Sequence, residues 1–474
     1  MGKKMKDKKE SKKIRYYNLN RLIMPKSVAI VGASYDADKV GHIILRNYLN
    51  AGFSGKLFPV NINAAGDMLG LKVYKTISDI KQKIDLVVVA TPASTVPDII
   101  DQCGKANVGG VVVISSGFAE VGNIDLQKQL IENAKKYKLP VIGPNCLGLV
   151  DIKSKTDTMY LPSFKLDKPI LGDVSVISQS GAVGSIVLDL IDHEGFGLAK
   201  FISYGNADVV DESDILTYLA NDKETKFIIF YLEGVKDGKR FIETVKKYGL
   251  KKPIIIIKAG TTAEGATAAH SHTAALAGNS EVYNAIFKQY GIVQAEDLYD
   301  LLYFAKIFEM SPLCTGNKVG VITNGGGAGV LMTDAIYKNG LELAQLSDKS
   351  KENLRKVMPN IVNITSPLDI GGDADRTRFK NAIDAVATDD NVDIIIAIVL
   401  FQTPGADSSV VAEIVNAKNR TNKPFIVISI GGNYTLAHRS MLESANIPVY
   451  ESPMAAAKAI KALIDFSNAK IQKK

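Results

Sequence analysis

The sequence predicts an α/β protein whose parallel sheets are covered by helices, with one α/β domain followed by two copies of another. Three observations carry this reading. Continuous apolar, β-branched runs alternate with helix-length amphipathic segments along the chain, the pattern left by strands buried on both faces. A segment beginning at Val174 recurs from Val319. The length of 474 residues suits two to four domains at roughly 100–200 residues each.

Taken in order, the apolar runs are Ser27–Val31, Leu86–Ala90 and Val111–Ile114 in the first domain. Val174–Ile177, Phe227–Leu232 and Ile254–Ile257 follow in the first copy, and Val319–Thr323, Ile394–Leu400 and Phe425–Ile430 in the second. The repeat is read directly: VSVISQSGAVGSIVLDLI (Val174–Ile191) and VGVITNGGGAGVLMTDAI (Val319–Ile336) share seven of 18 positions. Cognates continue in the same order, Phe227–Glu233 with Ile394–Phe401, then KPIIIIKAG with KPFIVISIGG. A duplicated unit of about 150 residues accounts for them. The expected boundaries are a disordered basic tail over 1–18, a first domain over 19–152, and the copies over 165–309 and 316–468. The loops near Lys153–Lys168 and Met310–Asn317 divide them.

Composition excludes several classes. With 23% charged and 46% hydrophobic residues, the chain is not of the disordered kind. Its longest apolar runs, Ile394–Phe401 and Phe227–Leu232, fall far short of the ~20 residues of a membrane span. The N-terminus lacks the apolar core of a secretory signal. Three distant cysteines, Cys103, Cys146 and Cys314, make neither a disulfide framework nor a zinc site. A cytoplasmic protein with no bound metal and no membrane contact is expected. The net charge of +7 is local: residues 1–15 hold eight Lys/Arg against Asp7 and Glu10. The remainder, 49 basic against 48 acidic residues, shows no bias toward nucleic acid. The tail reads as a solvated leader or as a contact for an anionic surface.

Chemistry concentrates where strands end. KSVAIVGASYDADKVG (Lys26–Gly41) runs from a strand through Gly32, Ala33 and Ser34 into a helix starting near Val40. Small residues there let backbone N–H groups approach a phosphate, although the dinucleotide fingerprint G-x-G-x-x-G is absent. ATPAS (Ala90–Ser94), ISSGFAE (Ile114–Glu120) and GPNCLGLVD (Gly143–Asp151) each follow a strand. Four such loops at carboxyl ends of parallel strands favour a nucleotide-like ligand over plain turns. In the copies, SQSGAVG (Ser178–Gly184) and TNGGGAG (Thr323–Gly329) occupy equivalent strand-to-helix turns, each a preformed anion site. Neither is a P-loop, and no G-K-[ST] occurs, which disfavours direct ATP hydrolysis. AAHSHTAALAG (Ala268–Gly278) holds two of five histidines, His270 and His272. No further ligand at metal spacing accompanies them. A neutral imidazole there can attack phosphorus, with Glu233 as the carboxylate that orients it. A structurally satisfied histidine explains the same residues equally well.

In this order the motifs PKSVAIVGAS…KVG, TPAS, ISSGFAE, GPNCLG, ISQSGAVG, YGNADVVDESD (Tyr204–Asp214), YLEG, SHT.ALAG, TNGGGAGVL and SPLDIGGDA (Ser366–Ala374) form a specific set. The chain resembles the alpha subunits of ADP-forming acetyl-CoA synthetases (acetate–CoA ligase, ADP-forming), in the succinyl-CoA synthetase superfamily. The resemblance runs from about residue 20 to 465.

It implies a Rossmann-like CoA-binding domain followed by two flavodoxin-like, succinyl-CoA synthetase-like domains. Coenzyme A would contact Gly32, Ala33, Ser34, Lys39, Asn61, Thr91, Pro92, Ser115 and Gly117, with Asn145 near the thioester. Acyl-CoA and phosphate would give an acyl phosphate, then phosphohistidine at His272 steadied by Glu233, then ATP. Lys258, at a strand end, would help offset developing charge. The turns Ser178, Gln179, Ser180, Gly181 and Asn324, Gly325, Gly326, Gly327 would hold the phosphoryl group. Ala274 stands where the family has Gly, and His270 where it has a small residue.

The chain ends at Lys474 soon after the second copy. The resemblance therefore implies that Mg2+ and ADP or ATP bind an ATP-grasp beta subunit, in an α2β2 heterotetramer. The other ligands would be a small organic acid, acetate by default, CoA and phosphate. A succinyl-CoA synthetase-type alpha subunit and a non-catalytic CoA-binding sensor or scaffold are the alternatives.

Overall fold

A computed structural model of the chain describes residues 16–267 and 279–473. It resolves into two compact units. One is Met1–Thr225 with Tyr231–Tyr248 and Ala259–Ser280, the other Lys226–Phe230 with Gly249–Lys258 and Glu281–Lys474. All nine apolar runs lie in strands, with ends shifted by at most a few residues.

In the first unit, the N-terminal sheet has the order Lys56–Val60, Ser27–Val31, Leu86–Val89, Gly110–Val113, Val141–Ile142, parallel throughout. Numbered along the chain this is 2-1-3-4-5, a doubly wound sheet. The order reverses between Ser27–Val31 and Leu86–Val89, which opens a crevice beyond their carboxyl ends. The three central strands are buried at every position. Ala29, Val87, Val89, Val111 and Val113 pack one face against Val96, Ile100, Leu130 and Ala134 of the covering helices. Two-sided burial is why these strands read as unbroken apolar runs.

The next sheet of this unit is built on Leu171–Ser178, paired in parallel with Leu198–Ser203. On its other side the N–H of Gln179 donates to Tyr231 O at 3.2 Å. The far edge departs from the all-parallel expectation. Leu149–Asp151 pairs antiparallel with Leu198–Ser203, and Thr156–Asp157 antiparallel with Leu149–Asp151, so part of the expected linker is sheet. Lys200 gives the reason. It is wholly buried, opposite Asp151 in the register, with its ammonium 3.0 Å from Asp151 and 2.9 Å from Asp222. A lone buried ammonium is costly, and the returning strand supplies one of its three countercharges, Glu224 at 3.8 Å being the third. Residues 1–15 of the basic segment lie outside the described residues. Tyr16 and Tyr17 are attached: the Tyr16 hydroxyl bonds Thr244 at 2.9 Å, and the Tyr17 N–H donates to Asp214 at 3.0 Å.

In the second unit, Ile254–Lys258 pairs in parallel with Val293–Gln294. Its other sheet runs Glu342–Leu343, Lys318–Thr323, Ile394–Ile398, Phe425–Ile428, Val449–Tyr450, all parallel, with Leu368–Asp369 also beside Lys318–Thr323. A large cluster including Ile322, Phe379, Ile395, Val399, Val427 and Leu442 forms its core. Lys318–Thr323 feeds the helix Gly326–Lys338, just as Leu171–Ser178 feeds Gly181–His193. The repeated motif is thus a repeated strand–turn–helix. No helix among the described residues is long and apolar enough to cross a membrane.

Candidate active site

The crevice of the N-terminal sheet is a cleft of about 760 Å³ lined by Gly32, Ser34, Lys39, Asn61, Thr91 and Pro92, among others. Its floor is a tight strand-to-helix turn. Gly32 has φ +94°, and a Cβ there would stand 2.5 Å from Ala90 O, so only glycine fits. Lys39 is the exposed N-cap of the helix Val40–Asn50, which presents backbone N–H groups and a cation together. Asn61 is held in place: its amide donates to Ala33 O at 2.7 Å, and its oxygen accepts from the Asn63 N–H at 2.8 Å. Ala33 itself is buried and contributes through that carbonyl rather than by lining the cleft.

A second cavity, about 510 Å³, shares Val40, Ala90, Thr91 and Pro92 with the cleft. Ser115, Asn145, Gln179, Ser180 and Gly181 also line it, so it runs from the cleft to the start of the helix Gly181–His193. Gly117 lines neither. Its N–H donates to Glu120 at 2.6 Å. The Ser115 hydroxyl donates to Thr91 O at 2.5 Å, and Ser115 O accepts the Asn145 N–H at 3.0 Å.

Asn145 has φ +59° and donates from Nδ2 to Asn206 Oδ1 at 3.3 Å. Asn206 in turn donates from Nδ2 to Glu120 Oε2 at 2.7 Å. Glu120 Oε1 takes the N–H groups of Gly117 and Phe118, at 2.6 and 3.1 Å. Burial opposes ionisation of Glu120, but the bonds from Asn206 and these N–H groups outweigh it, holding its carboxyl below the usual range. Tyr160 and Cys146 also face the cavity. Burial pushes the Cys146 thiol up to about 12, so it is an unreactive thiol at neutral pH.

The two glycine turns share one device. Ser178 is buried and donates to Ser180 O at 2.5 Å, while Ser180 Oγ caps the helix by accepting the Val183 N–H. Gln179 Oε1 accepts the N–H groups of Glu233 and Gly234 at 2.9 and 3.1 Å. In the second copy Asn324 Oδ1 accepts the Leu400 N–H at 2.8 Å, and its amide nitrogen donates to Leu400 O and Thr403. Gln179 and Asn324 are therefore clamps on the neighbouring strand end, which leaves the backbone N–H groups of each turn as its donors toward an anion. A Cβ on Gly326 would stand 2.7 Å from Asp369 Oδ2, so a carboxylate sits beside the start of the second helix. The clamps also align the copies: Leu400 takes the place that Glu233 has in the first.

Glu233 is buried and close enough to Tyr231 that its charge adds to burial in pushing that phenol up to about 12. Lys258, buried in the second unit, has its ammonium 4.9 Å from the Tyr283 ring centre. His270, His272 and Ala274 lie outside the described residues. Among the described residues no cluster of His, Cys, Asp and Glu could hold a metal ion. Sequence reasoning missed Glu120, Asn206 and Tyr160 as site residues. The first two lie inside motifs it quoted, and only their meeting in space marks them.

A doubly wound domain with such a crevice, followed by duplicated domains with glycine turns, has the architecture of acyl-CoA ligases. Three family models match in chain order: a CoA binding domain over 26–151, a succinyl-CoA ligase like flavodoxin domain over 171–308, and a Ligase-CoA domain over 319–460. Subunit alpha of acetate–CoA ligase (ADP-forming) I of Pyrococcus furiosus is 38% identical over 96% of this chain and 99% of its own. The acetate–CoA ligase (ADP-forming) of Methanocaldococcus jannaschii is 38% identical over 97% of this chain, which spans 64% of that relative's length. The acetyl-coenzyme A synthetase 1 of Ca. Korarchaeum cryptofilum, solved in complex with phosphate and ADP, superposes with a TM-score of 0.89 at 36% identity, covering 96% of this chain and 98% of that one. The chain belongs to the family of ADP-forming acetate–CoA ligase alpha subunits.

Proposed function

We propose that the chain is the alpha subunit of an ADP-forming acyl-CoA synthetase, with acetate as the default acid. It would reversibly convert acyl-CoA, ADP and phosphate to acid, ATP and CoA. The observation that carries this is the single cavity whose wall joins the CoA-type cleft, Asn145 and the turn Gln179–Gly181. CoA would lie along Gly32, Ser34, Lys39, Asn61, Thr91 and Pro92, with its thioester reaching Asn145. Phosphate would sit at the N–H groups that open Gly181–His193. A phosphate oxygen attacks the thioester carbonyl, the C–S bond breaks, and CoA leaves as thiolate and takes a proton. His272 then attacks the phosphorus of the acyl phosphate and releases the carboxylate. Glu233 is the carboxylate that favours the resulting charged ring.

Among the described residues lining the cavity none is charged, which supports an uncharged acyl group over a second carboxylate. The names of the Pyrococcus furiosus relatives, subunit alpha, support a separate partner. We assign to it an ATP-grasp fold, Mg2+ and the ADP or ATP site, in an α2β2 assembly. The test is intact-mass analysis of the full chain after incubation with acetyl-CoA and phosphate. One acid-labile phosphoryl adduct, absent in His272→Ala, is expected. No adduct with any acyl-CoA, with the partner present, overturns the reading in favour of a CoA-binding module without chemistry.

A further inference from the structure

We infer that Glu120 and Asn206 are positioning residues that set which way the amide of Asn145 faces, and so act on acyl transfer itself. The inference rests on the function proposed above. Its physical basis is the one-way character of the bonds. An ionised carboxylate can only accept. Glu120 Oε2 therefore fixes the NH2 of Asn206 toward itself, at 2.7 Å. That turns Asn206 Oδ1 to Asn145, where it accepts from Nδ2 at 3.3 Å. The sense of both amides follows from the carboxylate, with no freedom to flip. Asn145 keeps a second N–H and its Oδ1 for the cavity it lines.

The anchor of this relay is well built. Glu120 Oε1 also holds the N–H groups of Gly117 and Phe118, so the same side chain shapes the loop that follows Ser115. The backbone repeats the linkage, since the Asn206 N–H donates to Pro144 O at 3.0 Å. Behind it, Gln127 accepts the Ala119 N–H at 3.1 Å and donates to Asp208 at 3.0 Å, and Asp208 meets Lys236 at 2.6 Å. Three loops distant in sequence are thereby locked at one point. A thioester carbonyl placed beside Asn145 meets either an N–H donor, which stabilises the oxygen charge of the tetrahedral intermediate, or an oxygen, which opposes it. The relay decides between them.

Reversing the relay tests this. Glu120→Gln offers an NH2 to Asn206, which then presents its oxygen to residue 120 and its NH2 to Asn145, so the Asn145 amide is driven to flip. Adding Asn206→Asp restores the original sense, because an Asp accepts from Gln on one side and from Asn145 on the other. The readouts on the full chain are single-turnover formation of the phosphoryl adduct from saturating acetyl-CoA and phosphate, CoA affinity by calorimetry, and melting temperature. Glu120→Gln is expected to slow turnover about 10- to 100-fold with CoA affinity within about twofold. The double variant is expected to recover most of that loss. Turnover of Glu120→Gln at the wild-type rate overturns the relay alone, as does a loss that follows CoA affinity or melting temperature and is not recovered by Asn206→Asp. A wild-type chain that forms no adduct from any acyl-CoA, even with its partner, overturns the parent reading and the relay's catalytic role with it.

Discussion

A methyl group on Gly41 would stand 2.0 Å from the carbonyl oxygen of Gly32, closer than any packing tolerates. The helix Val40–Asn50 can start against the turn only because this residue has no side chain, and that approach brings Lys39 to the cleft. Gly41→Ala is expected to cost about 1–3 kcal/mol in urea unfolding, and to weaken CoA binding measured by calorimetry. Tyr160 belongs to the opposite kind of residue, one whose bulk closes space. It lines the second cavity, and burial together with neighbouring Cys146 raises its phenol. Tyr160→Ala is expected to lower kcat/KM for acetate and raise it for a bulky acid such as phenylacetate, read in the coupled synthetase assay. An unchanged acid profile removes Tyr160 from the acyl wall. Neither Tyr160 nor the Glu120–Asn206 pair was legible in the sequence, where a polar side chain carries no sign of its partner 61 or 86 positions away. The glycine turns were legible, because the anion binding proposed for them depends on the local backbone.

At the scale of elements, continuous apolar runs revealed the strands buried on both faces, and the short edge strands stayed hidden. Val141–Ile142 has two residues and Leu149–Asp151 three, too few to form a pattern. Leu198–Ser203 is fully buried, but Lys200 interrupts its apolar run, so the sequence gives no strand signal there. Lys200→Met is expected to cost about 3–5 kcal/mol in chemical denaturation, since it leaves Asp151 and Asp222 buried without their cation. A second buried ionisable group, Glu212, has the opposite sign of effect. Glu212 opens the helix Glu212–Asn221, and burial, then the charge of Asp211, pushes its carboxyl from 4.5 up to about 8. The unfolded chain releases this proton first, so the folded state loses stability as pH rises from about 4.5 to about 8. Unfolding free energies of wild type and Glu212→Gln across that range are expected to differ by a term that slopes with pH, and a constant difference contradicts it.

For the whole molecule, the division of labour is the testable quantity. If CoA is held by this chain and the nucleotide by a partner, CoA at about 100 times its Kd should add about 2.7 kcal/mol to the stability of the isolated chain. ADP with Mg2+ should add nothing. A thermal-shift titration reads both, and stabilisation by ADP alone would place a nucleotide site where none is proposed. The duplication was legible because a copied strand–turn–helix keeps its spacing. What separates the copies, Glu233 in one and Leu400 in the other, gains meaning only once the amide clamps align them.

The cleft and the second cavity have Val40, Ala90, Thr91 and Pro92 in common, and with CoA bound as proposed that shared wall would make the cofactor's own arm a leash. With the nucleotide end seated, the thiol would be confined to a small volume, an effective concentration in the millimolar range for a short flexible tether. Within one binding event the freed thiol would stay beside the acyl phosphate, so the acyl-transfer step could reverse before CoA dissociates. Acetyl-pantetheine, which lacks the anchor, should lose turnover as well as affinity.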